Sequence, residues 1–168
     1  MALMQDNLRG LENNRETHLL AEVIAALKQG LSDRLVAIVL FGSRARGGGS
    51  EISDWDLLVI ARDLPERFFK RHLWLKGMLP DGWRGQVSIL SRTPKEFEAY
   101  LASLYLDIAL DGILLHDSSG YAAERLARIR RLIEKHGLRR EQVNGDLMWR
   151  WERFPGFNWT LEWDRPVI

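Results

Sequence analysis

The chain has 168 residues, 46% hydrophobic and 28% charged, with a net charge of +1, so it reads as one ordered globular domain with room for a small appendage. Its lack of cysteine excludes a disulfide framework, a thiolate metal site and a cysteine nucleophile. The opening MALMQDNLRG has no apolar signal-peptide core and no stretch approaches the roughly 18 apolar residues of a membrane span, so no membrane association and a cytoplasmic location are expected.

In chain order, residues 16–29 predict an amphipathic helix: Leu20, Val23, Ile24 and Leu27 recur at helical spacing, with Gly30 as the stop. The run LVAIVLF, Leu35 to Phe41, is short, apolar and rich in β-branched residues, as in a buried central strand. It ends at Gly42. Ser43 is placed to cap a helical turn reaching Arg46, and Gly47, Gly48 and Gly49 close that turn in a loop.

Asp54 to Ala61, DWDLLVIA, predicts a second strand with acids at its start. Pro65 suits the first turn of a helix reaching about Met78, and Pro80 marks its end. Gln86 to Ser91 predicts a third strand. Pro94 opens helical structure that continues to about Leu110, and Ile113 to Leu115 suggest a short fourth strand. Residues 120–136 predict a basic amphipathic helix with Leu126, Ile129, Leu132 and Ile133 inward. After Gly145 the pattern is aromatic and irregular. The order implies an α/β (α+β) fold, a small mixed sheet covered by helices.

The chemistry concentrates in residues 35–61. A strand ending in Gly42-Ser43 and turning into a helix presents free backbone N–H groups to an anionic phosphate. Gly42 permits close approach, and the Ser43 hydroxyl adds a donor. On the next strand Asp54 and Asp56 are two residues apart and so share a face. Paired carboxylates repel unless a cation lies between them, and hard oxygen ligands suit Mg²⁺ or Mn²⁺. A phosphate cradle beside such a dyad is what phosphoryl or nucleotidyl transfer requires.

Ten residues, Arg44 to Ser53, separate Ser43 from Asp54. With that spacing the segment LFGSRARGGGSEISDWDLLVI resembles the polymerase β-like nucleotidyltransferases, and among them the minimal nucleotidyltransferase type. The likeness is firm over residues 35–62 and extends to about residue 117. It implies a nucleotidyltransferase domain over 1–117 and a helical, basic and aromatic extension over 118–168 packed on it. It further implies transfer of a nucleoside monophosphate, AMP from ATP, to a hydroxyl on a protein, small molecule or RNA. By this resemblance Asp54 and Asp56 hold the metals and are catalytic, Gly42 and Ser43 hold the triphosphate, and Arg44 and Arg46 assist. A helical partner protein, as in toxin–antitoxin pairs, is also implied.

The family's third carboxylate has no counterpart. Aligning the strand puts Val87-Ser88-Ile89-Leu90 on the family pattern, with Ser88 in the place of an aspartate and Gln86 next on the same face. Neither is a carboxylate base. Three readings follow: Glu51, Asp107 or Asp111 reaches the site; the reaction needs no third acid; or the protein binds a nucleotide without catalysis.

Other features are read as structural. Arg125, Arg128, Arg130, Arg131, Lys135, Arg139 and Arg140 form a solvated face, with a nucleic-acid or acidic partner as the less favoured reading. Arg67, Lys70 and Arg71 are treated alike. Trp149, Trp151, Phe154, Phe157, Trp159 and Trp163 are expected to pack on the domain or to mediate homodimerisation. His18, His72, His116 and His136 show no metal-ligand spacing.

Overall fold

The computed structural model describes residues 18–163. Helix α1, Ala21–Leu31, leads into strand β1, Leu35–Phe41, and a one-turn helix α2, Gly42–Ala45. Strand β2, Trp55–Ala61, returns antiparallel to β1. Helix α3, Phe68–Met78, crosses over to strand β3, Val87–Arg92, which runs parallel to β2. Helices α4, Pro94–Ala99, and α5, Ser103–Asp111, precede strand β4, Ile113–Asp117, antiparallel to β1. Helix α6, Tyr121–Lys135, and a hairpin of β5, Leu138–Val143, and β6, Asp146–Trp151, follow, and residues 152–163 carry no further helix or strand. The order β3-β2-β1-β4 makes a mixed four-stranded sheet with helices on both faces, the α/β arrangement expected.

Strands β1 and β2 lie at the centre and are apolar on both faces. Leu57 and Val59 face one core layer with α1 and α3, while Leu58 and Ile60 face the other with α4, α5 and α6. A register irregularity between Leu35 and Ala37 places Val36 and Ala37 in the same layer. The α6 residues Ala122, Leu126, Ile129, Leu132 and Ile133 are all buried in that second layer.

Several local expectations are corrected. Gly30 does not stop α1, which continues to Leu31; a Cβ on Gly30 would come within 2.5 Å of Met78 Sδ, so this glycine sets the approach of α1 to α3. Residues 16 and 17 of the expected helix lie outside the described residues. Pro65 precedes α3 instead of opening it, and its carbonyl accepts a 2.7 Å hydrogen bond from Arg71 Nε.

The helix expected to run from Pro94 to Leu110 is broken at extended Tyr100. On a straight helix Phe97 and Tyr105 would lie roughly 12 Å apart along the axis. The break brings their rings to 4.6 Å and buries Leu101 between the helices. The stretch after Gly145 that reads as irregular in sequence begins with strand β6 of the hairpin. The hairpin's turn is Asn144-Gly145, both at positive φ, the two-residue turn that matches strand twist.

Candidate active site

Central strand β1 delivers Gly42 just past its C-terminal end at φ +73, a left-handed conformation that favours glycine. A Cβ there would collide with Asp56 Oδ2 and lie 3.3 Å from its Cγ. The turn therefore starts against the carboxylate of the neighbouring strand. Phe41, not Ser43, is the N-cap of α2, so the expected capping role of Ser43 is not found. Its hydroxyl makes no hydrogen bond among the described residues and is available to a ligand.

Register Phe41↔Asp56 seats the second acid beside that turn. Asp56 is half-buried and Asp54, just before β2, is exposed. Burial raises the Asp56 pKa above the ordinary carboxylate value, Asp54 raises it further, and Arg46 pulls it down. Two adjacent carboxylates, one of them partly stripped of water, are a hard oxygen donor set that fits a divalent cation. On the parallel neighbour, Asp56 is in register with Ser88. Ser88 shares the face of Leu90, which is also the Asp56 face.

No group of three or more His, Asp or Glu side chains converges among the described residues. Asp107 and Asp111, two of the candidate substitute acids, lie on α5 and are held by an arginine. Arg140 Nη1 and Nη2 donate to Asp111 at 2.6 and 2.8 Å, and Nη1 also reaches Asp107 Oδ1 at 3.1 Å. Trp149 Nε1 donates to that same Asp107 oxygen at 3.2 Å. Arg140 holds the Asp111 carboxyl well below its ordinary pKa. Glu51 is exposed on the loop.

The two arginines of the turn diverge. Arg44 folds back over the loop, donating to the Ser53 carbonyl at 2.9 and 3.2 Å, with its guanidinium 4.4 Å from the Trp55 ring centroid. Arg46 stands 3.6 Å from Asp111. It thus lies in the field of both Asp56 and Asp111 while forming its ion pair with Asp111.

The basic stretch is partly consumed within the fold. Arg125 pairs with Glu98 and Glu124, Arg130 donates to the Ala109 carbonyl, and Arg139 pairs with Glu152. Arg71, a surface cation by sequence, is buried and makes two 2.9 Å bonds to Glu96. Among the aromatics, Trp149, Trp159 and Trp163 pack against the second core layer; Trp151, Phe154 and Phe157 are exposed. Nothing local in the sequence marks Arg140 as a structural centre. The Asn-Gly turn that puts it on a strand is the one available signal.

Residues 20–116 match the family model of the nucleotidyltransferase domain. Over 62 residues the chain is 47% identical to the putative protein adenylyltransferase MJ1305 of Methanocaldococcus jannaschii. That stretch covers 37% of this chain and 42% of the relative, so the chain accounts for less than half of the relative's length. A solved mutant of the MntA-HpeT toxin-antitoxin shares the fold with a TM-score of 0.50 at 17% identity, over 67% of this chain and 86% of that one. The complex of tri-AMPylated Shewanella oneidensis HEPN toxin with MNT antitoxin aligns with a TM-score of 0.45 at 18% identity, over 71% and 92% of the two chains.

Proposed function

This chain belongs to the nucleotidyltransferase domain family, and on that premise we propose that it transfers AMP from ATP to a hydroxyl of a protein acceptor, with pyrophosphate as the leaving group. The observation that carries this reading is the contact of Gly42 with the Asp56 carboxylate, which joins the phosphate-binding turn to the metal-binding dyad. Asp54 and Asp56 would hold Mg²⁺ or Mn²⁺, which would supply charge neutralisation at the α-phosphate of the transferred AMP. The Gly42 turn and the Ser43 hydroxyl bind the triphosphate, with Arg46 as the nearby cation. Ser88, beside Asp56, can hydrogen-bond an acceptor hydroxyl but is no base at neutral pH.

In this reading residues 1–117 form the transferase domain and 118–168 an extension that supports it. A protein acceptor is favoured over a small molecule or RNA for two reasons. The relative from Methanocaldococcus jannaschii is named as a putative protein adenylyltransferase, and part of the basic stretch is paired internally. A solved neighbour that shares the fold comes from a toxin–antitoxin pair, which makes a partner protein the first acceptor to test.

A second reading keeps nucleotide binding without turnover. It is favoured by Ser88 in register with Asp56 and by the engagement of Asp107 and Asp111 with Arg140. One experiment separates the two. The protein and an Asp54→Ala/Asp56→Ala variant are incubated with labelled ATP, Mg²⁺ or Mn²⁺, and lysate. Label on a protein that depends on the intact dyad supports transfer. Nucleotide binding with no label under either metal supports the binding module and rejects the transferase.

A further inference from the structure

We propose that Arg140 is a positioning residue for the nucleotide: by holding Asp111, it keeps Arg46 paired with Asp111 instead of Asp56, beside the turn that meets the phosphates. This rests on the transferase reading above, in which Arg46 meets the triphosphate.

The phosphate turn poses an electrostatic problem. An arginine a few residues into a turn that abuts a carboxylate would ordinarily close onto that carboxylate. Such a pair would place a guanidinium where Asp56 must offer its oxygens to a cation. The fold avoids this, because the ion pair of Arg46 is with Asp111 at 3.6 Å.

Asp111 can serve only if it is itself fixed, ionised and correctly aimed. Arg140 supplies all three through a two-pronged contact at 2.6 and 2.8 Å. That geometry sets the plane of the carboxylate as well as its charge. Arg140 is in turn anchored by Asp107 at 3.1 Å, and the same Asp107 oxygen is fixed by Trp149 Nε1. Asp107 and Asp111 are one helical turn apart on α5, so one guanidinium spans both. The Arg140 side chain is only 17% exposed and that of Asp111 14%, which shields these contacts from screening.

The series Trp149–Asp107–Arg140–Asp111–Arg46 thus runs from the hairpin to the phosphate turn. The adjacent Arg139 has the same charge on the same strand but points the other way, to Glu152. It supplies an internal control.

The test is a double-mutant cycle on Mg·ATP affinity, read by calorimetry with the full chain. Arg46→Ala and Arg140→Ala are each expected to weaken binding about tenfold, the scale of a charge-assisted contact. The double variant is expected to lose about tenfold as well, because both act through one group. Arg139→Ala is expected to leave affinity unchanged. A roughly hundredfold loss in the double variant, or an equal loss in Arg139→Ala, overturns the proposal, as does wild-type affinity in Arg140→Ala.

Should Arg140→Ala fail to fold by circular dichroism, Arg140→Lys decides. It keeps the charge but not the two-pronged geometry, so a near-native melt with weakened Mg·ATP binding is expected, and unchanged binding overturns the proposal. Absence of Mg·ATP binding by the wild type is a different result. It removes the nucleotide site itself, and this inference with it.

Discussion

The carboxylate of Asp56 occupies the space that a β-carbon on Gly42 would need. Gly42 opens the turn after β1 and Asp56 lies on β2, fourteen positions on in the chain, yet Gly42 cannot gain a side chain without moving Asp56.

That contact yields a paired prediction. Gly42→Ala is expected to displace Asp56, abolish Mg·ATP binding and cost at least about 1–2 kcal/mol from the left-handed backbone alone. Gly47 has a similar φ of +74, but a Cβ added there would meet nothing within 4 Å, so Gly47→Ala is expected to bear only the backbone cost and to retain binding. Thermal melts and calorimetry on both variants check this.

Ser88 offers a test in the direction of gain. Placing a carboxylate in register with Asp56 adds a third charged oxygen ligand. Ser88→Asp is expected to melt lower without metal and to bind Mg²⁺ on the order of tenfold more tightly. Ser88→Ala, which removes one neutral hydroxyl, is expected to change transfer by less than about tenfold. Metal titrations of the melting temperature distinguish the two.

The role of the residues after 117 can be measured by stability. Ile129 is fully buried against the sheet, so Ile129→Ala is expected to cost about 2–5 kcal/mol by denaturant unfolding. A chain ending at Asp117 would uncover the β1 residues Val36, Ala37 and Val39 and is expected to aggregate.

Acid sensitivity should follow two ion pairs. Arg71 holds the Glu96 pKa below its ordinary 4.5, and Arg140 holds that of Asp111 below 3.8. The unfolded chain takes up these protons first as pH falls. The stability each pair contributes is therefore present above the unfolded value and lost as pH drops through the folded one. Glu96→Gln is expected to flatten the melting temperature against pH below about 4.5. It should also lower stability at neutral pH, because the buried Arg71 then loses its charged partner.

Much of the framework around the candidate site is legible from sequence. The apolar runs LVAIVLF and DWDLLVIA are the two central strands, and aligning Val87-Ser88 by pattern places Ser88 beside Asp56, as the register has it. Periodicity also marks the buried face of α6.

What escapes a sequence reading does so for physical reasons. The break at Tyr100 carries no glycine or proline and exists to pack Phe97 against Tyr105, a tertiary cause that local propensity does not record. Arg140 reads as part of a solvated basic face because its partners lie 29 and 33 residues away. Arg71 looks like any surface cation in sequence; only the fold closes Glu96 and the Pro65 carbonyl around it.

Trp55 lies between the two acids, with its ring beneath the Arg44 guanidinium and edge-on to Trp83 at 6.4 Å. The segment that carries the two acids therefore carries its own fluorophore. A ligand that draws Arg44 off the ring would change the emission of Trp55, giving this protein an intrinsic optical reading of what happens beside Asp54 and Asp56.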